Sequence, residues 1–309
     1  MTVTATAADP ARTCYPAEVT LIEVGPRDGF QFEERIVPTS LKLEVIDALV
    51  AAGLKQIQVA SFVHPRRVPQ MADAETLLKA LPVREDVLFS GLVLNRQGLE
   101  RARRTALRQV EISISASDRH SRRNTGMPLE EALRQGREMI GLARKYGLRV
   151  RAGIQCAFGC VYEGAIPEKR VMDMARTFID QGAEALALAD TTGMADPLAI
   201  RRRVPEVQAA AKKIPLILHL HDTRGLGLVN LMAGLACGVT RFDTALGGMG
   251  GCPFVSGAAG NIATEDTAYL LDRLGVNTGI GIGKVAECSL KLENFYGKQF
   301  AGKMVRLAR

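Results

Sequence analysis

The chain has 309 residues, 47% of them apolar, and carries a formal net charge of +7 from 40 Lys and Arg against 33 Asp and Glu. That length holds one large domain or two ordinary ones around a sizeable core, and no apolar run approaches the ~20 residues needed to span a membrane. The basic residues are scattered on helical faces (Arg101, Arg103, Arg104, Arg108; Arg201, Arg202, Arg203), with no interleaved aromatics and no Trp. Solvated helix faces are therefore expected rather than a nucleic-acid surface, and the surplus charge favours an anionic small substrate.

Residues 1–16 are rich in Ala and Thr, with no apolar block. They read as neither signal peptide nor transit peptide, which makes the cytoplasm the expected compartment. A loose extension is expected over 1–18 and one domain over 19–309. The 6 cysteines are widely spread; Cys156 and Cys160 stand four apart without a second pair at zinc-ribbon spacing. Reduced thiols follow.

From residue 19 onward, β-rich runs alternate with amphipathic ones. Strands are expected over 19–24, 56–62, 87–94, 110–115, 149–155, 185–189, 216–221 and 241–245. Helices are expected between them, over 40–52, 98–107, 129–146, 168–181, 197–210 and 227–236. Four helical runs end in a glycine followed by a strand, at Gly53, Gly147, Gly182 and Gly238, the pattern of helix termination in a left-handed residue. Eight such units match a (β/α)8 TIM barrel better than an open doubly wound sheet, and no Gly-x-Gly-x-x-Gly opens the first unit. A Gly-rich stretch at 247–260, a helix over 262–274 and an amphipathic segment over 283–300 then form a helical C-terminal extension.

Strand 7 ends in Leu218-His219-Leu220-His221-Asp222-Thr223, after Pro215 has blocked any preceding helix. Side chains alternate along a strand, so His219 and His221 point the same way, and two imidazoles held like that can grip one metal ion. A pair of structural histidines is the alternative. A barrel gathers its chemistry at the C-terminal ends of its strands, where the sequence also places Arg27 and Asp28 after strand 1, Gln58 and Ser61 on strand 2, Asp190-Thr191-Thr192-Gly193 after strand 6, and Cys252 and Asn261 after strand 8. Asp28, His219, His221 and Asn261 offer a carboxylate, two imidazoles and an amide oxygen, a mixed set suited to Mg2+, Mn2+ or Zn2+. Cys252, between glycines and a proline, reads either as a small buried hydrophobe or as a reactive thiol working as acid or base.

Val24-Gly25-Pro26-Arg27-Asp28-Gly29, Ser61-Phe62-Val63, Val68-Pro69-Gln70-Met71, Asp190-Thr191-Thr192-Gly193, His219-Leu220-His221-Asp222-Thr223 and the Gly-Gly-Cys-Pro loop ahead of Asn261 resemble the 3-hydroxy-3-methylglutaryl-CoA lyase family, barrel metal-dependent lyases related to Claisen-condensing enzymes. The resemblance runs from about residue 19 to residue 280. It implies retro-Claisen cleavage of a 3-hydroxyacyl-CoA to acetyl-CoA and a ketone product. Asp28, His219, His221 and Asn261 would hold the divalent metal, Arg27 would face the thioester carbonyl, Cys252 would handle the proton, and Asp190 would act as a relay. A homodimer is a family-level expectation. Arg122 and Arg123, after strand 4, are candidates for the CoA phosphates, with an ordinary solvated loop as the equal alternative.

Three positions depart from the pattern. The lyases carry a glutamate three residues before Ser61, where this chain has Gln58, which can neither carry charge nor accept a proton. Leu220 and Arg224 also differ from the ketogenic enzymes. These changes open related substrates, citramalyl-CoA or a longer branched 3-hydroxyglutaryl-CoA. A condensing transferase running from acetyl-CoA and a catalytically silent acyl-CoA- or metal-binding protein are further alternatives.

Overall fold

Eight parallel strands close on themselves in chain order: β1 (Thr20–Glu23), β2 (Gln56–Ser61), β3 (Leu88–Val93), β4 (Gln109–Ser115), β5 (Arg149–Gln155), β6 (Ala185–Ala189), β7 (Leu216–His219) and β8 (Arg241–Thr244), with β8 pairing back on β1. The computed structural model describes residues 15–251 and 259–307. Helices α1 (Thr39–Ala51), α2 (Ala74–Ala80), α3 (Arg96–Ala102), α4 (Asp118–Thr125), α5 (Leu129–Lys145), α6 (Glu168–Asp180), α7 (Pro197–Ala211) and α8 (Gly227–Ala236) lie between the strands, and α9 (Thr264–Arg273) and α10 (Ile282–Tyr296) follow them. The expected TIM barrel with helices after the last strand is what the chain builds. Ala17 to Val19 are tied to Asn277 by backbone hydrogen bonds of 2.9 Å.

Period-two alternation explains how the barrel is filled. On β4, Val110, Ile112 and Ile114 face the helices, while Glu111 and Ser113 line the cavity inside. On β5, Val150, Ala152 and Ile154 face outward, and Arg151, Gly153 and Gln155 face the cavity. The outward residues join the core between sheet and helices, where Ile46 and Leu49 of α1 and Phe178 of α6 are wholly buried. The interior is therefore lined largely by small and polar side chains, leaving a cavity of about 150 Å³.

The sequence reading did not name α2 and α4. The first is a single short stretch. The second, Asp118-Arg119-His120-Ser121-Arg122-Arg123-Asn124-Thr125, has no apolar period and stands on its caps: the Ser117 hydroxyl accepts from His120 N at 3.1 Å, and Gly126 closes the other end at φ 79°. The glycines at 53, 147, 182 and 238 all have positive φ, and at Gly53 a Cβ would lie 2.1 Å from Gly279 O.

β7 stops at His219, two residues short of the expected end, because its last register partner on β8 is Asp243. The chain then pairs with a different segment: His221 bridges Asn261 in antiparallel fashion, with Asp222 N donating to Gly260 O (3.0 Å) and Ile262 N to Leu220 O (3.1 Å). That exchange of partners carries Asn261 to the second histidine.

Candidate active site and metal centre

Asp28 sits in a tight helical turn, Gly25–Gly29, where β1 ends. Its carboxylate and the ring nitrogens of His219 and His221 lie within 4.8 Å of one another. The two imidazoles face each other at Nε2, 3.1 Å apart, with ring centroids at 5.1 Å. Asn261 Nδ2 donates to Asp28 Oδ2 at 2.8 Å and to Met249 O at 3.0 Å, while its Oδ1 is buried without a partner. An orphaned buried acceptor costs about 1–3 kcal/mol, and a cation relieves it. Three converging donors of mixed N and O type plus this oxygen fit a divalent ion.

The charges around these groups favour the same occupant. Burial pushes the Asp28 carboxyl up, but Arg27, the two histidines and the Asn261 bond outweigh it, and its pKa is lowered. Burial, together with the neighbouring His219, takes His221 down to about 3, so its ring stays neutral with a lone pair to offer. For His219, burial is outweighed by the bond to Asp243 and by the Asp243 and Asp28 charges, which raise its pKa. A field that favours a proton on His219 also favours a metal cation.

Arg27 is 7% exposed and lines the cavity. It donates from Nε to Gln58 Oε1 and from Nη1 to Asp28 Oδ1. Gln58, wholly buried behind it, donates from Nε2 to Glu111 Oε2 at 2.7 Å. Arg151 Nε lies 3.3 Å from the same Glu111 oxygen, and its two terminal nitrogens grip Asp243. A chain of hydrogen bonds, with one ion pair between Glu111 and Arg151, thus runs from Asp28 through Arg27, Gln58, Glu111, Arg151 and Asp243 to His219.

Asp190 Oδ1 closes the loop after β6, accepting from Met194 N (2.7 Å) and Ala195 N (2.9 Å), and its Oδ2 is buried without a partner. Burial pushes this carboxyl up to about 7. Arg224 donates to Thr192 O (2.8 Å) and Gly193 O (2.6 Å), so this departure from the family pattern clamps the same loop. Leu220, the other departure at the histidines, is wholly buried apolar core. Arg122 and Arg123 are exposed on α4, the first paired with Asp118 at 2.7 Å and the second 4.2 Å over the Tyr162 ring. His120 and Asn124 of the same helix line the cavity instead. Cys252 lies outside the described residues; Gly251, just before it, lines the cavity.

Sequence reasoning missed Glu111, Arg151 and Asp243. A signal existed: Glu111 and Arg151 are charged residues flanked by apolar ones within a strand, as in Val110-Glu111-Ile112, and Asp243 follows Phe242 in another; such residues must point into the barrel.

The profile of the HMGL-like family matches residues 18–290. The chain belongs to that family. A bovine mitochondrial hydroxymethylglutaryl-CoA lyase is 37% identical over 88% of this chain and 84% of its own length. A human cytoplasmic 3-hydroxy-3-methylglutaryl-CoA lyase is 38% identical over 88% and 74%. Among solved structures, an HMG-CoA lyase from Acinetobacter baumannii in complex with coenzyme A and 3-methylmalate superposes with a TM-score of 0.90 at 32% identity, covering 98% of this chain and 97% of that one. As a member of the HMGL-like family this chain is a carbon–carbon lyase. Among the described residues, no helix is long and apolar enough to cross a membrane.

Proposed function

We propose that the chain cleaves a 3-hydroxyacyl-CoA, with 3-hydroxy-3-methylglutaryl-CoA as the first substrate, to acetyl-CoA and a keto acid, acetoacetate in that case. The observation that carries this reading is the convergence of Asp28, His219 and His221 beside the Arg27 guanidinium at the end of the barrel where β1 and β7 finish. Asp28, His219, His221 and Asn261 would hold Mg2+ or Mn2+, with Zn2+ compatible with the same donors. Bound there, the ion would supply Lewis-acid polarisation of substrate oxygens.

Arg27 is held on two sides, by Gln58 and Asp28. A guanidinium fixed this way can stabilise the charge that gathers on the thioester oxygen as the carbon–carbon bond breaks and its electron pair passes to the acetyl-CoA carbon. The substrate hydroxyl loses its proton to become the carbonyl of the product, and the new enolate takes one up. Cys252 is assigned to the second transfer, on the resemblance of its Gly-Gly-Cys-Pro loop and on Gly251 lining the cavity. Asp190, with a carboxyl near neutrality, has the proton affinity of a relay. The Acinetobacter baumannii structure, with coenzyme A bound, supports a CoA thioester. Arg122 and Arg123 are then cations for its phosphates, reached when their side chains swing from Asp118 and Tyr162. A cytoplasmic homodimer completes the reading; of the relatives, the human enzyme is named for the cytoplasm and the bovine one for the mitochondrion.

A panel of 3-hydroxyacyl-CoA thioesters assayed with Mg2+ or Mn2+ tests it. Acetyl-CoA should appear from 3-hydroxy-3-methylglutaryl-CoA and disappear on chelation; release from citramalyl-CoA alone would move the substrate, and release from none would end the proposal.

A further inference from the structure

Gln58 is a neutral amide clamped between a cation and an anion. Its Oε1 accepts from Arg27 Nε and its Nε2 donates to Glu111 Oε2 at 2.7 Å, all three side chains being buried. The two ends of an amide have nearly the same shape, so its neighbours decide which way it points. A guanidinium only donates and an ionised carboxylate only accepts. Glu111 therefore fixes the Gln58 carbonyl on the Arg27 side. Arg151, 3.3 Å from the same Glu111 oxygen through Nε and paired with Asp243, holds that carboxylate in place.

We propose that Glu111 on β4 is a positioning residue for Arg27, acting through the Gln58 amide, so that positions 58 and 111 work as one unit and can change only together. A glutamate at 58 would set a second buried carboxylate against Glu111 at the separation the amide now occupies. Like charges there must recruit a proton or push Arg27 away. A glutamine at 111 removes the acceptor-only neighbour: either end of its own amide can face Gln58, so only Arg27 is left to hold the Gln58 carbonyl. Exchanging both remakes the two bonds that hold the unit together: the carboxylate at 58 accepts from Arg27 and from the amide at 111. Net charge is also unchanged. The departure at Gln58 is thus no simple loss of a carboxylate from the site, because the charge stands on β4, on the far side of β3 from Gln58.

The test is a double-mutant cycle over wild type, Glu111→Gln, Gln58→Glu and the double exchange, read by acetyl-CoA release with Mn2+, by Mn2+ affinity measured calorimetrically, and by melting temperature. Its kinetic arm rests on the lyase reading; its thermal arm does not. Each single change should lower kcat at least about tenfold while KM moves less than about threefold, since Arg27 acts on charge that develops during the reaction. The double exchange should return kcat to within about threefold of wild type, and the melting temperature should recover in parallel. Mn2+ affinity should recover with them in the double exchange. Singles that match wild type in both kcat and melting temperature, or a double exchange that only adds the two losses, would overturn the proposal. If wild type releases no acetyl-CoA from any substrate, the lyase reading fails by itself, and recovery or additivity of the melting temperatures still decides the coupling.

Discussion

His219 Nδ1 lies 3.0 Å from Asp243 Oδ2, and the two residues are register partners on β7 and β8. Burial acts to raise the Asp243 carboxyl, but Arg151 and His219 outweigh it and take it down to about 2. The carboxylate is therefore ionised and can only accept, so the His219 proton sits on Nδ1 and Nε2 is left bare toward His221. Carboxylate–histidine pairs of this kind orient metal ligands, and losing one costs about 10–100-fold in metal affinity. Asp243→Asn should weaken Mn2+ binding by that factor, and it should also lower the melting temperature, because Arg151 loses an anionic partner in a dry interior. Calorimetric titration of Mn2+ into the folded variant checks the first effect; unchanged affinity would detach Asp243 from the metal centre.

Gly250 makes room for the Asn261 amide. At φ +114° it has a backbone that L side chains rarely adopt, and a Cβ would stand 2.5 Å from Asn261 Nδ2 and 3.5 Å from Asp28 Oδ2. Gly250→Ala should displace Asn261 from Asp28 and weaken Mn2+ binding about tenfold, beyond the ~1–3 kcal/mol of backbone strain. Gly126→Ala is the control: φ is +79°, with nothing within 4 Å of the added carbon. It should cost stability and leave Mn2+ affinity alone. Equal affinities for the two variants would show that crowding at Asn261 does not matter.

The barrel was legible because parallel strands covered on one face by helices keep an apolar period, and because glycines such as Gly147 and Gly238 punctuate the helix ends. The candidate metal cluster was legible from His219 and His221, whose spacing suits a shared ion. What stayed hidden is non-local. Asn261 is a candidate ligand from the sequence, but the contact that brings it to His221 is the pairing of residues 220–222, after β7, with 260–262, which no local pattern encodes. Glu111, Arg151 and Asp243 lie 40 and 92 positions apart along the chain, and only barrel closure makes them one network. The Gln58 substitution read as a missing charge because its neighbour Glu111 sits on another strand.

Binding and turnover separate at two residues. His221→Ala removes one imidazole from a set of converging donors and should cut metal occupancy, and activity with it. Cys252→Ala touches no assigned ligand and should leave metal content at the wild-type level while acetyl-CoA release falls by a factor of about 10²–10⁴, the usual range for a lost acid–base group. Metal content by atomic emission on the purified variants, beside their turnover, checks both. Full occupancy in His221→Ala would break the ligand assignment, and wild-type turnover in Cys252→Ala would remove the thiol from the reaction.

Glu23 makes stability depend on pH. Its carboxyl is wholly buried, with Oε1 accepting from Gly25 N (2.7 Å) and Leu246 N (3.0 Å) and Oε2 from the Thr264 hydroxyl (2.7 Å), so it joins the Asp28 turn to the loop after β8. Burial pushes it from an ordinary 4.5 up to about 7, against the pull of those three bonds. The folded chain then holds this proton more tightly than the unfolded chain does. Below pH 4.5 both forms carry the proton and there is no penalty. As pH rises toward 7 the unfolded form ionises first and stability falls, by about 3 kcal/mol at full extent. Glu23→Gln keeps an oxygen for Gly25 and Leu246, lets the Thr264 hydroxyl turn to accept, and has no proton to lose. The variant should therefore gain on wild type between pH 5 and pH 8, and the difference cancels every other titrating group the two proteins share. Urea midpoints at both pH values measure it; a constant gap between the two proteins would mean that Glu23 titrates in the fold as it does in the open chain.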